Sequence, residues 1–105
     1  MPRLMVIYKI QPGKFDLAIK RWTAMTDPDG PPELKEALSK CDIETMEVAA
    51  GLGFIMAVFT VKDEDMKYPQ MLALHLGDAF DMEVHPVLAV DEQTQALELF
   101  KKLKR

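Results

Sequence analysis

The segment at residues 53–61, Gly-Phe-Ile-Met-Ala-Val-Phe-Thr-Val, constrains the fold more than any other part of the chain. It contains no charged residue and no proline, and its β-branched and aromatic residues are typical of a β-strand. Successive side chains of a strand point to opposite faces, and here both sets are apolar. Such a strand lies at the centre of a sheet and needs cover on both faces. What covers the second face is therefore the main question that the sequence raises.

Three further strands are predicted. Residues 3–10 are apolar on both faces and so form a second central strand. Residues 42–50 and 81–89 are more polar, and Pro86 in the latter cannot donate a hydrogen bond to a neighbouring strand. Both of these strands are therefore placed at the edges of the sheet.

Apolar residues recur at helical spacing in four other segments. The clearest helix covers residues 15–25, where Phe15, Ala18, Ile19, Trp22 and Met25 share one face. A short helix is predicted at residues 33–39, and a third begins between Met66 and Pro69 and ends near residues 77–80. The last helix, at residues 91–103, has Asp91 as its predicted N-cap.

The order of these elements predicts an α+β, ferredoxin-like βαββαβ domain with an extra C-terminal helix. Its antiparallel four-stranded sheet has the strand order 4-1-3-2, with the crossover helices on one face. The second face is then covered either by the C-terminal helix or by a second copy of the protein. We favour the second copy, because one helix about 20 Å long covers only part of a four-stranded sheet. The sequence thus predicts a homodimer, a dimeric α+β barrel.

Several short motifs resemble a known family. They are Met-Pro-Arg-Leu-Met-Val-Ile-Tyr at the start, Pro12-Gly13-Lys14, Gly30-Pro31-Pro32, Gly53-Phe54, and Asp-Met-Glu-Val-His-Pro-Val at residues 81–87. Over residues 1–90 the chain is similar to the DUF3303 group of small uncharacterised proteins. That resemblance implies a dimeric α+β barrel, with no assigned activity. The chain departs from the family pattern at Met46-Glu47-Val48-Ala49, where relatives carry a Trp-His pair.

Composition limits the classes of partner. A chain of 105 residues is expected to form a single domain, here a core at residues 3–89 followed by the C-terminal helix at 91–103. The net charge of -4 argues against a nucleic-acid partner, which needs a concentrated basic face. No segment is long enough to span a membrane. The single cysteine, Cys41, cannot form an internal disulfide, so we expect a cytoplasmic protein.

Glu83 and His85 are the candidate catalytic pair. They are two residues apart on a strand and therefore point to the same face, which we place in the barrel interior near Tyr8 or Glu47. A carboxylate beside an imidazole fixes the ring tautomer and can build a base for proton transfer. The alternative is an ion pair at an exposed edge, which is the commoner outcome for such a spacing.

Two functions follow from these patterns. The first is a homodimeric module without catalysis that binds a small apolar ligand between sheet and helices, with Tyr8, Trp22 and Glu47 in the pocket. The second is a small cofactor-independent monooxygenase or isomerase that uses Glu83 and His85 in an apolar pocket. No metal-ligand spacing is present, and neither a metal nor another cofactor is expected.

Overall fold

A computed structural model describes residues 1–103, except for the side chain of Leu52. The elements are β1 (Arg3–Ile10), α1 (Phe15–Thr26), α2 (Pro32–Ser39), β2 (Asp42–Val48), β3 (Ile55–Thr60), α3 (Lys67–Leu76), β4 (Phe80–Pro86) and α4 (Val90–Leu103). The four strands form one antiparallel sheet in the order β2-β3-β1-β4. This is the ferredoxin-like arrangement, and it confirms the predicted strand order, with the two strands that are apolar on both faces at the centre.

Helices α1, α2 and α3 pack on one face of the sheet. Strand register brings Val6 of β1 opposite Ala57 of β3, and Tyr8 opposite Ile55, so these residues share that face. Every buried helical side chain among the described residues belongs to the same hydrophobic cluster as Val6, Ile55 and Phe59. We call this side of the sheet the helix-covered face.

The opposite side, which we call the open face, has an apolar centre. Its central residues are Met5, Ile7, Met56 and Val58, which alternate with the helix-covered residues along β1 and β3. Met5, Ile7 and Met56 are only partly buried, whereas Val58 is buried between its neighbours in the sheet. The buried residues of α1, α2 and α3 all lie on the other side of the sheet. The described chain therefore leaves Met5, Ile7 and Met56 partly exposed.

Helix α4 does not supply buried contacts to either face. None of its side chains from Val90 to Leu103 is buried, although its sequence has an apolar stripe. The protomer measures 56 × 31 × 20 Å, and its smallest dimension corresponds to a sheet with a single layer of helices. The core of the described chain is therefore built by the sheet with α1, α2 and α3.

The strand ends differ from the prediction at the hairpin between β2 and β3. The chain leaves β2 after Val48 and forms a short 3₁₀ turn at Ala50–Leu52, in which Gly51 has φ +81°. Glycine adopts this left-handed conformation at little cost. The Ala49 amide donates a 2.9 Å hydrogen bond to the Phe54 carbonyl oxygen and closes the hairpin. The turn thus includes Ala50, which we had expected to end β2, and β3 begins at Ile55 and not at Gly53.

The start of the last helix also differs from the prediction. Helix α4 begins at Val90, so Asp91 lies in its first turn and not at its N-cap. The Glu92 carboxylate accepts a 3.2 Å hydrogen bond from the Ala89 amide. The helix therefore begins one residue earlier than expected. The carboxylates of Asp91 and Glu92 in the first turn stabilise it through the positive end of the helix dipole.

Both edge strands carry irregularities. In β2 the register shifts between Ile43 and Thr45, so that Glu44 is an extra residue in a β-bulge. The Glu44 carboxylate accepts a 2.7 Å hydrogen bond from Arg3 Nε across the sheet. At the other edge, β4 ends in Pro86, which lacks an amide hydrogen.

Candidate functional site

An apolar cavity lies between the helix-covered face and the helices. Its volume is about 170 Å³, and β1, β3 and β4 provide its floor. The walls come from Trp22 and Met25 on α1, the end of α2, and Gln70 and Ala73 on α3. Among the described residues that line it, none is charged. The cavity has the position that the sequence predicted for an apolar ligand, between sheet and helices.

Tyr8 is the main polar group of this cavity. Burial and, to a smaller extent, the nearby Cys41 raise the pKa of Tyr8 to about 12. The hydroxyl is therefore protonated at neutral pH and can donate a hydrogen bond. The other polar groups of the lining are the Trp22 indole N–H, the Cys41 thiol and the Gln70 amide. A few polar groups in an apolar cavity are typical of small-molecule sites.

Alkaline pH provides a test of the Tyr8 environment. A tyrosine in the unfolded chain ionises near pH 10, whereas folded Tyr8 ionises near pH 12. The stability that depends on the protonated hydroxyl is thus complete below pH 10 and is lost as the pH rises through about 12. The loss is on the order of 2–3 kcal/mol. We expect Tyr8→Phe to remove most of this loss in urea denaturation between pH 8 and pH 11.5.

Tyr68 supplies the control for that experiment. Its hydroxyl donates a 2.9 Å hydrogen bond to Glu36 Oε1, and it lies outside the cavity lining. The hydrogen bond to Glu36 also raises the pKa of Tyr68, so Tyr68→Phe should remove a small part of the alkaline loss and leave the larger part, which is caused by Tyr8, in place. An equal response of both variants would contradict the assignment of the buried group to Tyr8.

Two aromatic rings of the cavity wall, Tyr8 and Trp22, form a cluster with Phe80. The Tyr8 ring lies edge-on to Trp22 and to Phe80, with centroids 5.9 and 6.1 Å apart, and Trp22 and Phe80 are 6.0 Å apart. Edge-to-face pairs at these distances add to the stabilisation from burial. Beyond the rings is a smaller cavity of about 120 Å³, which Tyr8, Trp22 and Phe80 also line. The aromatic cluster therefore separates two apolar spaces under α1.

Cys41 lines the larger cavity but is not built as a nucleophile. Its thiol lies 3.6 Å from the Ala37 carbonyl oxygen, and burial, followed by the negative charge of Asp65, raises its pKa. Nucleophilic attack needs the thiolate, which this environment disfavours. Cys41 therefore contributes a small apolar surface with a weak donor.

The structure divides the residues predicted for the pocket. Tyr8 and Trp22 both line the larger cavity. Glu47 does not, because it pairs with Met56 and shares the open face with it. The physical reason is the bulge at Glu44, which shifts the alternation so that Met46 faces the helices and Glu47 faces away. The expectation that Glu47 joins Tyr8 in one pocket is therefore corrected.

Glu83 and His85 lie on the open face of edge strand β4. His85 Nε2 is 3.5 Å from Glu83 Oε2, and Lys9 Nζ is 3.9 Å from Glu83 Oε1. Both members of the pair are about half exposed. Glu83 pairs with Ile7, while Tyr8 points to the other side of the sheet. Tyr8 is thus separated from this pair by the sheet, and Glu47 lies three strands away, at about 14 Å.

Sequence reasoning missed the contribution of α3 to the cavity. Four residues at the start of α3 or within it line the cavity, and none of them was predicted for the pocket: Met66, Pro69, Gln70 and Ala73. The missed residues recur at spacings of three and four, which place them together on one side of a helix. The signal was present, but it marks a helix face without telling whether that face meets solid packing or a void.

Two absences complete the description of residues 1–103. No group of three or more histidine, cysteine, aspartate or glutamate side chains in this part is arranged to hold a metal ion. Within the same residues, every helix is too short or too polar to cross a lipid bilayer.

Comparisons with known proteins place the fold but not the family. No protein-family model matches the chain, and no curated protein matches it. Among solved structures, it is similar to an uncharacterized NIPSNAP domain protein from Burkholderia xenovorans. The TM-score is 0.54 at 12% sequence identity, and the match covers 86% of this chain and 95% of the other. At this identity the similarity supports the ferredoxin-like fold alone.

Proposed function

We propose that the protein is a homodimeric ligand-binding module of the DUF3303 group that takes up a small apolar molecule in the cavity beneath its helices. The observation that carries this proposal is the cavity of about 170 Å³, which has no charged residue in its described lining. The buried cysteine agrees with a cytoplasmic protein. No catalytic step is assigned to the module.

The apolar cavity supports ligand binding because the folded protein has a lower free energy when a ligand fills it. Apolar lining residues such as Met46 and Val84 are exposed to water, and a ligand that covers them is stabilised by about 25 cal/mol per Å² of apolar surface removed from water. A ligand that binds only the folded state recovers stability by mass action. The site also has donors in Tyr8 and Gln70 with which to orient a guest.

Ala73→Phe tests the site. Ala73 lines the cavity from α3, so a phenyl ring at this position occupies the space of the ligand. We expect the variant to abolish binding of a small aromatic probe, measured by calorimetry and by the fluorescence of Trp22, which is the single tryptophan of the chain. A folded Ala73→Phe variant that binds the probe as well as the natural protein would overturn the proposed site.

Leu74→Phe is the matched control. It introduces the same ring at the next position of α3, where the side chain is 71% exposed. This variant should bind the probe with unchanged affinity. Equal loss of binding in both variants would indicate damage to α3 and not occupation of the cavity.

The open face supports the homodimer. Its apolar centre is flanked by charged side chains, among them Arg3 and Glu44 near one end and Lys9 and Glu83 near the other. An apolar core with a polar rim is the usual composition of a protein interface. A second copy that presents the same surface covers both centres by two-fold symmetry. The surplus apolar surface of β1 and β3 then becomes interior in the dimer.

Ile7→Glu tests this interface. Ile7 lies at the centre of the open face, and a carboxylate there would be buried beside its own copy. We expect light scattering after gel filtration to give a dimer for the natural protein and a monomer for Ile7→Glu at micromolar concentration. Leu74→Glu, which places the same charge on exposed α3, should stay dimeric. A natural protein that is monomeric under these conditions would end the dimer proposal.

The enzyme alternative has weaker support. Glu83 and His85 do form the expected carboxylate–imidazole pair, but both face the open side and Lys9 competes for Glu83. A proton-transfer base of this kind needs an enclosed, water-poor site. Such an enclosure requires a second copy over β4. A monooxygenase or isomerase activity that is lost both in His85→Gln, which removes the base, and in Ile7→Glu, which breaks the dimer, would favour the enzyme alternative.

A further inference from the structure

We infer that the ligand of the larger cavity is an uncharged, single-ring aromatic molecule that carries one hydrogen-bond acceptor, such as an aryl ketone. This inference rests on the proposed function and specifies the chemical class of the ligand. It follows from four properties of the lining, namely its charge, its polarizability, its size and the position of its donor.

Charge comes first. The described lining offers no lysine, arginine, histidine, aspartate or glutamate to a guest. The four polar groups of the lining carry no charge at neutral pH, because burial raises the pKa of both Tyr8 and Cys41, and the Trp22 indole and the Gln70 amide do not ionise. Transfer of an ionised group into such a site without a partner is strongly unfavourable. The lining therefore selects neutral ligands over acids and amines.

The lining is also rich in polarizable groups. Half of the eight methionines of the chain line this one cavity: Met25, Met46, Met66 and Met82. Tyr8 and Trp22 add two aromatic rings to the same lining, and Phe59 adds a third. Thioether sulfur makes favourable contacts with aromatic rings, and aromatic pairs attract each other at offset or edge-on geometry. These residues favour an aromatic ring over a saturated ring of the same size.

The volume sets the number of rings. An apolar cavity of about 150 Å³ in a protein core accommodates one benzene molecule. The present cavity, at about 170 Å³, has room for one ring with a short substituent.

Tyr8 sets the polarity of that substituent. Tyr8 lines the cavity, and its hydroxyl has no hydrogen-bond partner among the described residues. Its protonated hydroxyl is therefore available as a donor to a guest in the cavity. A carbonyl or ether oxygen on the ligand accepts this bond, whereas a hydrocarbon leaves the donor unpaired.

Four probes of similar size separate these properties. Acetophenone has the ring and the acceptor, ethylbenzene lacks the acceptor, acetylcyclohexane lacks the aromatic ring, and benzoate is charged. Calorimetric titration of the full chain should rank acetophenone first. We expect ethylbenzene and acetylcyclohexane to bind about 3- to 10-fold more weakly. Benzoate should bind at least about 100-fold more weakly.

Two variants assign the preferences to residues. Tyr8→Phe should narrow the preference for acetophenone over ethylbenzene to less than about 3-fold, because the hydroxyl donor is gone while the ring and the Gln70 and Trp22 donors remain. Met82→Leu should reduce the preference for acetophenone over acetylcyclohexane by about 2- to 5-fold. Met71→Leu is the control, since Met71 packs against the core but does not line the cavity.

The outcomes distinguish this inference from the proposed function. Binding of none of the four probes, with Ala73→Phe indistinguishable from the natural protein, would overturn both. Binding of acetylcyclohexane or benzoate as tight as that of acetophenone would leave the binding module standing and overturn the ligand class. The predicted ranking, lost selectively in Tyr8→Phe, supports the ligand class.

Discussion

Replacement of Phe80 by alanine is expected to lower the free energy of unfolding by about 3–5 kcal/mol. Phe80 opens β4, is only 3% exposed and contacts both Tyr8 and Trp22. Its loss removes a large buried surface and enlarges the smaller cavity, which Phe80 lines. Urea denaturation followed by Trp22 fluorescence measures the change, and the emission of the folded variant should also shift because Trp22 loses a neighbour.

Phe15→Ala is the control for this substitution. It deletes the same side chain at the start of α1, where the ring is 51% exposed. We expect a loss of less than about 1 kcal/mol, as for most surface substitutions. Equal losses in the two variants would mean that the aromatic cluster does not have the central place described above.

Leu76→Ala is expected to cost about 2–5 kcal/mol. Leu76 is 1% exposed and belongs to the hydrophobic core cluster. A methyl group cannot fill the space of the isobutyl group, and the backbone at the end of α3 is held by the Ala79 amide, which donates to the Leu76 carbonyl oxygen. The site therefore cannot collapse easily. Thermal or urea unfolding measures the loss.

The same helix contains the matched control. Leu74 lies two residues earlier and is 71% exposed, so Leu74→Ala should change the stability by less than about 0.5 kcal/mol. A larger loss from Leu74→Ala than from Leu76→Ala would show that α3 presents the opposite face to the sheet.

The fold could be predicted from sequence because its constraints are local. Apolar residues on both faces of β1 and β3 identify these strands as central without knowledge of their partners. Pro86 identifies an edge strand because it has no amide hydrogen to donate. The order of strands and helices then leaves few topologies. The ferredoxin-like sheet follows from these elements, and the structure confirms it.

The candidate site could be predicted only in part, because it depends on register. Tyr8 and Trp22 lie where the pattern of β1 and α1 places them, on sides that meet. The side to which Glu47 points depends on the extra residue at Glu44, and no local pattern announces a bulge. A cavity is harder still to predict, since it arises from the shapes of side chains on seven helices and strands together.

The irregular edges of the sheet have a consequence for aggregation. An unprotected edge strand can recruit a strand from another molecule and start a fibril. Here the bulge at Glu44 twists one border away from a straight template, and Pro86 withholds a donor at the other. Further strands are thereby discouraged at both borders, which protects a chain that is 49% hydrophobic from polymerising strand by strand.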